Sequence, residues 1–113
     1  MKLTAYIDGG ARGNPGPAGV GVVILDASDQ TTLHAAGYFL GRTTNNVAEY
    51  HGLLRALQIA VKLKPAHLSI ISDSQLMVRQ IHGEYRVKSP DLKPLYEQAM
   101  TLLGKLRDWS FEH

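Results

Sequence analysis

Apolar and other residues alternate through Leu3-Thr4-Ala5-Tyr6-Ile7, a two-residue period that predicts a strand ending on Asp8. The stretch from Gly9 to Gly19 is rich in glycine and proline and reads as a loop by composition. Val20 to Leu25 is a short apolar run, Asp26 to Gln30 reads as a turn, and Thr31 to Leu40 suits a second strand; together they predict a hairpin. Val47, Tyr50, Leu54, Leu57 and Val61 then recur at helical spacing. They predict one long helix from about Thr44 to Lys64, with Pro65 as its stop. His67 to Ser72 is another strand, carrying Leu68, Ile70 and Ile71, and it too ends on an acid, Asp73. Ser74 is placed to cap a short helix bearing Met77, Val78 and Ile81, with Gly83 beyond it. After a connector from Tyr85 to Pro90, Asp91 is placed to cap a last helix whose stripe is Leu92, Leu95, Ala99, Leu102 and Leu106. Pro94 falls in its first turn, where the missing N–H is tolerated. Trp109 to His113 begins a further strand.

The order strand, hairpin, helix, strand, helix, helix, strand implies an α/β domain. One side of its sheet is an antiparallel hairpin, and a helical crossover joins parallel strands. At 113 residues, with no linker or repeat, residues 1–113 form one domain. Charged residues are 19% of the chain, too few and too balanced for a disordered polyelectrolyte. The absence of cysteine excludes a disulfide scaffold, a thiolate zinc site and a cysteine nucleophile. No apolar run approaches a membrane span and the N-terminal MKLTAYIDGG lacks a signal peptide's apolar core, so no membrane partner and a cytoplasmic location are expected.

The two strand-end acids give the chemistry its first outline. If their strands are parallel neighbours, Asp8 and Asp73 emerge at one edge of the sheet, where ligands of open α/β sheets bind. Glu49 lies early in the long helix, roughly 120° from the centre of its apolar stripe, flanking the sheet-facing side without entering the core. Three carboxylates so placed repel one another, and a divalent cation relieves the conflict. Hard oxygen ligands without Cys or His point to Mg²⁺ or Mn²⁺. Setting these three acids aside leaves seven acids against twelve bases, a basic surface suited to a nucleic-acid partner. Each acid also has a plainer reading. Asp8 fits a cap on the glycine loop, Asp73 fits the dipole of the next helix, and Glu49, three residues after Asn46, fits a capping box. The five histidines, His34, His51, His67, His82 and His113, show no metal spacing and read mostly as surface residues. The glycine loop lacks the Lys-Ser/Thr ending of a P-loop and the GxGxxG spacing of a dinucleotide fold, so no small-molecule cofactor is expected.

Three motifs sharpen this picture. Tyr6-Ile7-Asp8-Gly9-Gly10-Ala11-Arg12-Gly13-Asn14-Pro15-Gly16-Pro17-Ala18-Gly19 closely resembles the opening strand and loop of the type 1 ribonuclease H family. Thr43-Thr44-Asn45-Asn46-Val47-Ala48-Glu49-Tyr50 resembles that family's first helix, and Ser72-Asp73-Ser74-Gln75 resembles its central strand end. The likeness extends over essentially the whole chain. It implies a ribonuclease H-like fold with a mixed five-stranded sheet, and cleavage of the RNA strand of an RNA–DNA hybrid with two Mg²⁺ ions. Asp8 would bridge both ions, with Glu49 and Asp73 completing the ligands and Glu49 also meeting a ribose 2′-OH. The implied minor-groove contacts are Asn14, Asn45, Asn46 and Gln75, with Thr44 on a DNA phosphate and Gly9 and Gly10 also substrate-binding. A hybrid-binding module without turnover is the alternative. Actin-like and sugar-kinase ATPases share the strand-end Asp and glycine-rich turn, but need two such domains for a nucleotide cleft.

Two departures from the family pattern shape the expectations. The stretch Gln80 to Leu92 is short, and Arg86 and Lys88 stand where some members carry an extra helix and a basic loop. That implies weaker and more salt-sensitive hybrid binding. The family's fourth metal-site carboxylate lies on a C-terminal helix after the last strand. Trp109 to His113 match that strand, and Asp108 and Glu112 do not occupy the fourth acid's place. The expectation is therefore a domain without its C-terminal helix and with impaired turnover, exposed to self-association or belonging with a fused domain.

Overall fold

The computed structural model describes all of residues 1–113. Its elements are β1 (Lys2–Ala11), β2 (Gly16–Asp26), β3 (Thr32–Thr43), α1 (Asn45–Leu63), β4 (His67–Ser72), α2 (Gln75–Ile81), α3 (Lys93–Leu103) and β5 (Trp109–Glu112). The five strands form one mixed sheet in the order β3-β2-β1-β4-β5. β1 pairs antiparallel with β2 and parallel with β4, and β4 pairs parallel with β5, as the strand–helix–strand reading requires.

The alternation read in β1 sets which way the sheet faces. Leu3, Ala5 and Ile7 point to the helical side with Val20, Val22 and Ile24 of β2, and Leu68 and Ile70 of β4. Tyr50, Leu53, Leu54 and Leu57 of α1 and Ala99 and Leu103 of α3 close over them to make one core. Asp8, next after Ile7, therefore points to the opposite, open face. β5 is fastened to β4 beyond its ladder. His67 Nδ1 lies 2.7 Å from an Asp108 carboxylate oxygen, and its Nε2 lies 3.2 Å from Ser110 Oγ. No helix is long and apolar enough to cross a membrane.

Three expectations are corrected. First, the glycine-rich stretch is mostly strand. β1 continues through Gly9, Gly10 and Ala11, which pair with Val20, Gly19 and Ala18. Arg12 N–H donates to Pro17 O at 2.9 Å and closes the ladder, leaving residues 12–15 as the turn. Glycine weakens an isolated strand, but here two glycine-bearing runs satisfy each other's backbone, and pairing overrides composition. Second, Asp91 does not cap the last helix. Leu92 occupies the cap position without a side-chain bond, and Ser89 O accepts from the N–H groups of Leu92 and Lys93 instead. Third, that helix ends at Leu103, so Leu106 reaches the core from the following turn.

Candidate active site

Each predicted acid arrives by a different route at the same end of the sheet. Ile7 pairs with Ser72 in the parallel β1–β4 ladder, so Asp8 and Asp73 each follow one member of that pair. Both are exposed. On the open face, Asp8 is flanked by a row without side chains, since it pairs with Gly21 and Gly21 pairs with Gly37. His113 Nε2 donates to the Asp73 carbonyl at 3.0 Å, bringing the end of β5 to the same place.

Glu49 departs from expectation. It is 5% exposed, so it enters the protein and does not flank it. Two donors draw it in. Gly9 N–H donates to Oε1, and Ser72 Oγ–H donates to Oε2 at 2.7 Å. Gly9 permits this approach, because a Cβ there would lie 3.1 Å from Glu49 Oε1 and 3.1 Å from the α1 backbone. The capping-box reading also falls away. Thr44 is the N-cap of α1, its Oγ1 accepts from Val47 N–H at 3.2 Å, and no acid lies in the first turn. Thr44→Ala is expected to lower stability by about 1 kcal/mol, read as a lower urea midpoint with an unchanged slope.

The electrostatics tie the three acids together. Burial pushes the Glu49 carboxyl above the ordinary carboxylate range. The Ser72 and Gly9 donors pull it back, and the charges of Asp8 and Asp73 push it further up. The side chains share a site without converging. No three acids or histidines come close enough to enclose a metal ion as they stand. Donors from β1 and β4 hold Glu49 where it stands.

The polar residues expected at the substrate lie around this centre. Asn14 Oδ1 accepts from Asn45 N–H at 3.1 Å, and Asn45 Oδ1 accepts from Ala11 N–H at 2.6 Å. The two asparagines thus clasp the turn to the start of α1. Because their oxygens are engaged by backbone donors, each amide turns its NH₂ outward. Asn45, Asn46 and Gln75 are exposed, and Gln75 opens α2 beside Asp73. Gly10 faces Asn45, with space for a Cβ at an ordinary 3.7 Å.

Ser72 is the site residue that motif spacing missed, although its parity with Leu68 and Ile70 already turns it inward. Tyr50 is a second: read as part of the apolar stripe, it also donates its OH to the buried Gln80 at 2.7 Å, tying α1 to α2.

The sheet order and the acids gathered beside the β1–β4 pair define a ribonuclease H-like α/β domain. Comparison with known proteins agrees. The family model described as reverse transcriptase-like matches residues 6–113. The bifunctional protein Rv2228c of Mycobacterium tuberculosis is 46% identical over 112 residues, covering 99% of this chain and 31% of that protein. The structure of its N-terminal RNase H domain, solved as a fusion with maltose binding protein, superposes with a TM-score of 0.94 over 99% of this chain and 86% of that one. Ribonuclease HI of Halobacterium salinarum is 39% identical over 99% of this chain and 56% of its own length, and its crystal structure gives a TM-score of 0.91. LC11-RNase H1, solved in complex with an RNA/DNA hybrid, is 42% identical over 98% of this chain and 84% of that one, with a TM-score of 0.88. The chain belongs to the ribonuclease H1 family. It spans about a third of the mycobacterial relative and just over half of the haloarchaeal one.

Proposed function

We propose that this domain is a metal-dependent endonuclease that hydrolyses the RNA strand of RNA–DNA hybrids. The observation that carries the reading is that acids from β1, α1 and the end of β4 gather at one end of the sheet: Asp8 and Asp73 follow the paired residues Ile7 and Ser72, and Gly9 beside Asp8 and Ser72 beside Asp73 both donate to Glu49. The relatives support it, since LC11-RNase H1 was solved bound to an RNA/DNA hybrid.

The donor set suits a hard divalent cation: three carboxylates whose mutual repulsion a positive charge would relieve. Asp8, Glu49 and Asp73 would hold the ions, Mg²⁺ or Mn²⁺. Such ions would supply acidification of a water nucleophile and charge stabilisation of the leaving 3′-oxygen, so that the products would carry a 5′-phosphate and a 3′-hydroxyl. The protein's own contribution is placement. The outward NH₂ groups of Asn14 and Asn45 offer only donors. The minor groove offers an acceptor, purine N3 or pyrimidine O2, at every base pair, so they would grip it without reading sequence. Asn46 and Gln75 flank them at the starts of α1 and α2. Thr44 uses a lone pair for its cap, leaving its hydroxyl proton for a phosphate oxygen. Gly9 and Gly10 would meet the substrate through their backbone, since the missing side chain of Gly9 makes room for Glu49 and α1. RNA would be told from DNA by its 2′-OH, which Glu49 would meet.

The test is incubation of a labelled hybrid with Mg²⁺ or Mn²⁺. The expected result is cuts in the RNA strand alone. Hybrid bound but left uncut in saturating Mn²⁺ would instead make this a non-catalytic hybrid-binding module. A companion measurement needs no substrate. Divalent cation at 100 times its dissociation constant is expected to stabilise the domain by about 2.7 kcal/mol. The melting temperature should rise accordingly, fall back on chelation, and fail to respond in Asp8→Asn.

A further inference from the structure

Ser72 stands one residue before Asp73 at the end of β4 and is 1% exposed. A serine with this inward parity would ordinarily weaken a core, because a buried hydroxyl must find partners. Here it has two of opposite kind. Its oxygen accepts from Ser74 N–H at 3.1 Å, the turn that starts α2, and its proton goes to Glu49 Oε2 at 2.7 Å. The bond to Ser74 fixes which way the hydroxyl faces, so the proton is aimed. Gly9 N–H holds the other carboxylate oxygen from β1. Glu49 is thereby gripped by both central parallel strands, through Gly9 next to Asp8 and Ser72 next to Asp73.

We infer that Ser72 is a positioning residue: its hydroxyl aims the Glu49 carboxylate at the ground between Asp8 and Asp73 and so sets the strength of divalent-cation binding there. The inference rests on the function proposed above, but its structural half does not need turnover. Residues that orient a metal ligand typically change metal affinity or activity by 10–100-fold when lost. Ser72 provides that orientation to an anionic ligand with its single O–H donor. Threonine retains the donor and suits a strand end. Alanine and valine lack it.

The experiment compares wild type with Ser72→Ala and Ser72→Thr in three readouts. In metal-free protein, the Gly9 amide proton, which reports the Glu49 contact, should move upfield in Ser72→Ala and stay near its wild-type position in Ser72→Thr. Mn²⁺ affinity, measured by electron paramagnetic resonance, should weaken about 10–100-fold in Ser72→Ala and recover in Ser72→Thr. Hybrid KM should hold in Ser72→Ala while kcat falls at limiting metal and recovers as metal is raised. An unmoved Gly9 amide in folded Ser72→Ala would overturn the inference whatever the enzyme does. Equal Mn²⁺ affinity in Ser72→Ala and wild type would overturn it as well. A wild type that binds Mn²⁺ and cleaves nothing would sink the proposed function and leave the Ser72 inference standing on the first two readouts.

Discussion

Asp8→Asn is expected to reduce hybrid cleavage by at least about 10³-fold, beyond the 10–100-fold lost when a residue that merely orients a metal ligand is removed. The substitution keeps the side chain's shape and removes one negative charge where a cation would bind. The fold should survive it. Asp8 is exposed, and its charge raises the Glu49 carboxyl, so removing it relieves repulsion in the metal-free protein. A melting temperature equal to or above wild type is therefore expected without metal. Cleavage within tenfold of wild type would refute a three-carboxylate site. The losses should also fail to add: groups that hold one ion act as a unit, so Asp8→Asn combined with Asp73→Asn should be little worse than Asp8→Asn alone.

Much of this arrangement was legible in the sequence, and the reasons it was legible differ. Asp8 and Asp73 could be placed because each directly follows an apolar strand run, Leu3 to Ile7 or Leu68 to Ser72, although β1 runs on past Asp8 to Ala11. Parallel pairing then brings the two ends together. The extent of α1 was legible because its apolar stripe runs from Val47 to Val61 and Pro65 stops the helix just past Lys64, whose φ of 51° lies in the left-handed region, whereas the Thr44 cap was not read. The glycine stretch after Asp8 was misread because composition records local preference, whereas its strand character comes from pairing with β2. Asp91 was misread as a cap for a similar reason: a better acceptor, the Ser89 carbonyl, was already within reach. Glu49 was placed in the right site at the wrong depth. Helical angle gives direction and says nothing of donors waiting below, and those donors belong to strands forty and twenty-three residues away in sequence.

That depth depends on one further glycine, and Gly52→Ala is the prediction that exposes it. By helix propensity alone the change should stabilise α1 by about 1 kcal/mol. The packing says otherwise. A Cβ at Gly52 would lie 2.4 Å from Val20 Cγ2 and 2.6 Å from Ile7 Cγ2, two methyl groups fixed in the buried face of β2 and β1. Neither can retreat without displacing the core, and overpacking of this kind costs about 1–3 kcal/mol, sometimes more. The cheaper response is for α1 to lift from the sheet. Glu49 lies three residues earlier, within one turn, so lifting the helix withdraws its carboxylate from Gly9 N–H and Ser72 Oγ. A displacement of about 1 Å at a reacting group can cost on the order of 10²-fold in rate. Gly52→Ala is therefore expected to lower the melting temperature by several degrees and to cut hybrid cleavage by about 10²-fold, though residue 52 touches neither metal nor substrate. Loss of stability with full activity would show that α1 relaxes at its far end and leaves Glu49 in place. If both stayed at wild-type values, the contact between α1 and the β1–β2 face would not be what sets the height of the helix.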